Sequence, residues 1–168
     1  GILHGQDVPL LTLRSDAGLV ADVIPYGARL VRLLVPDGKG RPVDVVLGHD
    51  DLQGYLDHPT YFGATCGRYA NRVAGGRFVL DGVEVLLDRN EGPNHLHGGR
   101  EGLDRKLWRI EDHGPTHAVF ATTSSAGEMG YPGRLDVTTV YRLAGNTLQI
   151  EMTARTDAPT VVNLVNHA

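Results

Sequence analysis

Residues 66–99 read C-G-R-Y-A-N-R-V-A-G-G-R-F-V-L-D-G-V-E-V-L-L-D-R-N-E-G-P-N-H-L-H-G-G. In the middle of this stretch two apolar-rich runs, Arg77–Leu80 and Val83–Leu87, are joined by Asp81-Gly82. Asp-Gly between strand-like runs predicts a β-hairpin, because the tight type I′ turn needs positive φ at both central residues. Polar groups flank the hairpin that a strand does not need for packing. Asn71 and Arg72 precede it; Asn94, His95 and His97 follow, then Gly98-Gly99. Closing the hairpin brings its flanks together, so an amide, a guanidinium and imidazole are expected to be neighbours there.

Working outward, the same grammar recurs. Val8–Arg14 and Leu19–Ile24 are apolar-rich segments separated by the turn residues Ser15-Asp16-Ala17-Gly18. Ala28–Val35 and Val43–Leu47 flank the turn Pro36–Gly40. Asp50–Asp57 reads as one helical turn capped by Asp50 and weakened by Gly54. Tyr61–Thr65 and Lys106–Glu111 are short, and the latter carries the only Trp, Trp108. His117–Thr123 alternates. Arg134–Leu143 and Thr147–Thr156 form a second hairpin across Ala144-Gly145-Asn146, each strand with one buried and one wet face. Ser124–Gly133 is a long loop holding Glu128 and Tyr131, and Thr160–Val165 begins a last strand. No segment sustains a helical period over the ~10–12 residues of an average helix. The expected class is all-β, a sandwich or a large curved sheet, with residues 1–168 in one domain. The final run, carrying Asn163, Asn166 and His167, is expected to be part of a fold that continues beyond it, with an edge open to pairing.

Composition narrows the function. The formal net charge is −4 and the basic residues are dispersed, which is unlike a nucleic-acid surface. No apolar run reaches the ~20 residues of a membrane-spanning helix. The lone Cys66 precludes an internal disulfide and fits a reducing, cytoplasmic setting. With 22 Gly and 9 Pro, many turns and short strands are expected.

Three chemistries fit the His-containing stretch. The plain reading is a polar loop leaving a hairpin. A second is metal binding by His95, His97 and His167, although no carboxylate sits at ligand spacing. A third is acid–base work on a polyhydroxylated ligand. Imidazole exchanges a proton near neutral pH, and Asn and Arg supply fixed donors for hydroxyl groups. Glu128 and Tyr131 could line a ligand from their loop, and Tyr61 or Trp108 could serve as a stacking platform or as core.

Four motifs in order, G-R-Y-A-N-R-V-A-G-G-R-F-x-L-D-G, N-H-L-H-G-G, G-Y-P-G and N-L-V-N-H, resemble the aldose 1-epimerase (galactose mutarotase) family over about Tyr61 to His167. The resemblance implies a large antiparallel β-sandwich of the galactose mutarotase type, of which this chain would be the N-terminal part. It implies a cofactor-free, metal-free isomerase of hexose metabolism that interconverts the α and β anomers of aldoses such as glucose and galactose. Asn71 and Arg72 then look like contacts to sugar hydroxyls. His97 looks like the histidine beside the ring oxygen, and His167 like the general acid that protonates it. His95 has no counterpart and reads as incidental. The family's general base is a Glu in its C-terminal part, as is an Asp that binds hydroxyls. Glu128 matches a loop Glu and not that base. Two other readings share the fold: a sugar-binding module without turnover, and an epimerase of hexose phosphates, for which Arg100 and Arg105 lie near His97 in sequence. The expected partner is a small sugar, not nucleic acid or membrane.

Overall fold

The computed structural model describes all residues, 1–168. Two four-stranded antiparallel meanders dominate. The first runs Leu11–Arg14, Val20–Ile24, Arg29–Pro36, Pro42–Asp44; the second runs Arg109–Gly114, His117–Ser124, Leu135–Ala144, Thr147–Thr156. Each strand neighbours its sequence neighbour, as short turn-linked strands do. The register between the last two strands of the second sheet runs unbroken from Leu135↔Thr156 to Ala144↔Thr147, the hairpin expected across Ala144-Gly145-Asn146.

The two sheets bury their apolar faces against each other. Leu13, Ala21, Val23 and Leu30 from the first meet Phe120, Leu135, Val137, Tyr141 and Leu143 from the second, with Leu103 and Trp108 closing the cluster. The period-2 burial along Leu135–Ala144 is the physical cause: residues 135, 137, 139, 141 and 143 all face inward. Burying a large aliphatic or aromatic side chain contributes roughly 1.5–3 kcal/mol, so this layer dominates the stabilisation. A second, smaller cluster of Val8, Ile24, Tyr26 and Tyr55 packs the helix Leu52–Asp57 against the outside of the first sheet.

The segment between the two sheets carries the polar residues. Its hairpin, Arg77–Leu80 with Val83–Leu86, pairs Val83↔Leu80 around the expected turn, with φ +50° at Asp81 and +81° at Gly82. Val79, Val83 and Leu86 are exposed, so core burial does not hold this hairpin. A two-stranded hairpin is marginal alone. Its flanks anchor it: Leu87 donates from its amide to Gly76 at 2.8 Å, and Asp88 to Met129 at 2.9 Å.

Local departures from the expected elements have local causes. The strand expected over Val43–Leu47 is Pro42–Asp44; Val45 and Leu47 are exposed and lie beyond the ladder. The helix is capped by Asp51, whose carboxylate accepts from the Gly54 amide at 2.9 Å, not by Asp50. Of the run Thr160–Val165 only its end is a strand, Val165–Asn166 pairing with Thr65–Cys66. No helix is long and apolar enough to cross a membrane.

Candidate active site

The flanks of the hairpin meet as expected. Arg72–Val73 pairs antiparallel with His95–Leu96, with Leu96 opposite Arg72. One step further, Asn71 and His97 face each other. The His97 amide donates to the Asn71 carbonyl at 3.2 Å, and the Asn71 amide donates to Nδ1 of His97 at 3.1 Å. Both residues are in the left-handed region, φ +67° for Asn71 and +50° for His97. Asn tolerates this conformation; for His it is a strained state of the kind that persists where surrounding structure over-determines it. Gly98 allows the chain to turn behind His97: at φ +95°, a Cβ there would lie 1.6 Å from the Gly67 carbonyl oxygen.

His167 arrives from the far end of the chain. Its amide donates to Ala64 at 2.9 Å and its carbonyl accepts from Gly63 at 3.0 Å. Asn166 fixes the approach, donating to the Gly63 carbonyl at 3.0 Å and to the Tyr141 hydroxyl at 2.8 Å. The imidazoles of His97 and His167 then lie edge to face with centroids 5.1 Å apart. The Tyr61 ring packs on both, 4.6 Å from His97 and 5.7 Å from His167. Buried Arg29 holds the backbone on either side of Tyr61, donating to the Phe62 carbonyl at 2.6 Å, the Thr60 carbonyl at 3.3 Å and the Asp104 carbonyl at 3.2 Å.

Hydrogen bonding and burial set the state of the His97 imidazole. Because the Asn71 amide occupies Nδ1 of His97, the neutral ring carries its proton on Nε2 and presents it as a donor. Burial holds the pKa of His97 below its ordinary value; His167 and Arg72 push the same way, and Glu91 opposes them. Burial also keeps the Tyr61 phenol protonated. Beneath them the Asp104 carboxyl is pushed up to about 6, chiefly by burial.

Several expected residues are engaged by partners within the chain. Arg72 makes a side-on bidentate pair with Glu91, Nε to the two carboxylate oxygens at 3.0 and 2.8 Å and Nη2 to Oε1. Glu91 was not foreseen; its only signal is an acidic residue in the turn before N-H-L-H. His95 is not incidental. It is fully buried, its Nδ1 donates to the Asp88 carbonyl at 2.6 Å, and its Nε2 accepts from the Tyr131 hydroxyl at 2.6 Å. Both ring nitrogens are therefore committed, and no group of three His, Cys, Asp or Glu is arranged to hold a metal. Tyr131 is core, not a ligand rim. Glu128 binds Lys106 and the Ser124 hydroxyl, tying down its loop. Trp108 is core, its indole N–H donating to the Leu103 carbonyl at 2.9 Å. Arg100 is engaged by the Asp88 carboxylate at 2.8 Å and the Arg89 carbonyl at 2.7 Å. Two hollows of about 370 and 380 Å³ lie against strand Arg29–Pro36 and include neither site histidine.

Fold and site together define an antiparallel β-sandwich that brings the imidazoles of His97 and His167 together beside Asn71 and Arg72. A sequence profile of the aldose 1-epimerase family matches residues 9–168. The chain is 47% identical to a galactose mutarotase of Bos taurus over 168 residues, covering 99% of this chain and 48% of that protein. It is 40% identical to an aldose 1-epimerase of Escherichia coli K12, covering 97% of this chain and 47% of that protein. Its fold superposes on an aldose epimerase homologue from C. elegans with a TM-score of 0.92 at 32% identity, covering 95% of this chain and 50% of that one. The chain belongs to the aldose 1-epimerase family, and its sandwich is of the galactose mutarotase type. It spans about half the length of the curated relatives it matches.

Proposed function

We propose that this chain supplies the sugar-binding and acid-side groups of an aldose 1-epimerase acting on aldohexoses such as glucose and galactose, with residues 1–168 forming part of one mutarotase-like domain. The observation that carries the proposal is the pair His97 and His167, 5.1 Å apart, with Nδ1 of His97 fixed by the Asn71 amide. Two imidazoles this close do not both charge readily, and burial falls on His97. Groups whose environments differ in this way divide acid and donor roles. His97 then stays neutral and donates from Nε2 to the sugar ring oxygen, while His167 delivers the proton.

Ring opening follows from that division. In this reading a carboxylate base takes the proton of the anomeric hydroxyl. The O–H bonding pair becomes the second bond of the C1 carbonyl, and the C1–O5 pair leaves with O5, which takes the proton of His167. The open-chain aldehyde rotates about C1–C2, and the same steps reversed close either anomer. The His97 donor stabilises charge developing on O5. The donors of Asn71 and Arg72 bind sugar hydroxyls, and the Tyr61 ring backs the imidazoles. The lone free Cys66, buried, supports a cytoplasmic setting. Polarimetry of freshly dissolved α-D-galactose and α-D-glucose with the full-length protein tests this reading. Relaxation faster than buffer and proportional to protein concentration is expected; relaxation at the buffer rate with both sugars would overturn it.

A further inference from the structure

Arg72 sits in a two-residue strand with its side chain 57% exposed, and a long cationic side chain in that position has many rotamers open to it. Glu91 removes that freedom. Its carboxylate engages the Nε and Nη2 edge of the guanidinium side-on, with Nε 3.0 and 2.8 Å from the two oxygens. Arg carries five N–H donors in a rigid plane, so this edge uses two and leaves both Nη1 hydrogens and one on Nη2 for a ligand.

Glu91 is itself held. Its amide donates to the Asn94 carbonyl at 3.1 Å, and the Asn94 amide returns the bond to Glu91 at 2.9 Å. The Asn94 side chain accepts from the Gly75 amide at 3.2 Å, which fastens this turn to the chain just beyond Arg72. The pair also balances charge next to His97: Arg72 pushes its pKa down and Glu91 pulls it up. A neutral sugar therefore meets fixed donors with little net charge.

We infer that Glu91 is a positioning residue of the sugar site, aligning the Arg72 guanidinium so that its free edge faces the hydroxyl groups of a bound aldose. The inference rests on the reading of Arg72 as a sugar contact. Aligned exposed pairs of this bidentate kind are the exception among surface ion pairs, most of which hold nothing in place.

The test uses Glu91→Gln, Glu91→Asp, Arg72→Ala and the double variant Glu91→Gln/Arg72→Ala in the full-length protein. For Glu91→Gln, KM for galactose should rise about tenfold while kcat changes less than about threefold, since a misplaced contact costs affinity before chemistry. Glu91→Asp, which keeps the charge, should recover part of the loss. The double variant should be no worse than Arg72→Ala alone. The Arg72 Nε–H resonance should broaden in Glu91→Gln, a readout independent of turnover. An unchanged KM in Glu91→Gln beside a raised KM in Arg72→Ala would overturn the inference and leave the function standing. An equal loss from Glu91→Gln with and without Arg72 would also overturn it. An unchanged KM in Arg72→Ala would overturn the reading of Arg72 and the inference with it.

Discussion

Replacing Asp104 by Asn should stabilise the protein at neutral pH and change little in mild acid. The residue is 3% exposed, and its Oδ1 has no hydrogen-bond partner. Burial pushes the carboxyl from its ordinary 3.8 up to about 6, while Arg105, Arg29 and His167 pull it part of the way back. A folded-state pKa above the unfolded one means that the native protein binds this proton more tightly. The contribution is fully present below about pH 4 and is lost as pH rises through about 6. At about 1.4 kcal/mol per pH unit, that rise amounts to about 3 kcal/mol of destabilisation once the group is ionised. Asn has the same shape and no charge to desolvate. Urea unfolding at pH 4, 5, 6 and 7.5, extrapolated to water, should show a gap between variant and parent that opens from near zero to about 2–3 kcal/mol. A gap independent of pH, or a variant less stable at pH 7.5, would refute the assignment of burial as the dominant cause.

Other consequences follow from the same geometry. Tyr131→Phe leaves Nε2 of buried His95 without its donor and should cost about 1–3 kcal/mol, read as a lowered Tm. Gly98→Ala places a Cβ 1.6 Å from the Gly67 carbonyl oxygen and should lose about 1–3 kcal/mol together with most sugar affinity, measured by chemical denaturation and galactose titration. His97, held down by burial, should titrate below about 6.5 in imidazole NMR spectra. Its stabilising contribution is then full above about pH 6.5 and lost as pH falls through the lower folded value, and titration above that value would contradict the geometry.

The hairpins were legible in the sequence because their determinants are local. Asp81-Gly82 sets two positive φ angles within the turn itself, and the alternation over 135–143 is visible in any window of that length. The juxtaposition of Asn71 and Arg72 with His95 and His97 followed from the hairpin alone. The paired two-residue strands Ile2–Leu3 and Gln6–Asp7 passed unseen because such elements carry no period. The roles of His95 and Arg29 were invisible for another reason. Tyr131 lies 36 residues from His95, and the backbone carbonyls that Arg29 holds lie 31 to 75 residues away. Partnerships across such separations depend on how the two sheets close, not on either local sequence. His167 stood out through its polar neighbours and the N-L-V-N-H motif; its approach to His97 depends on Asn166 reaching Gly63 and Tyr141.

Saturation polarimetry of His167→Ala in the full-length protein probes the division of labour between the two imidazoles. A fall in kcat of about 10²–10⁴-fold is expected, with KM for galactose within about threefold of the parent, the mark of a lost general acid. Turnover near the parent's value with a comparably large rise in KM would show instead that His167 only binds the sugar, and the acid would have to be sought elsewhere.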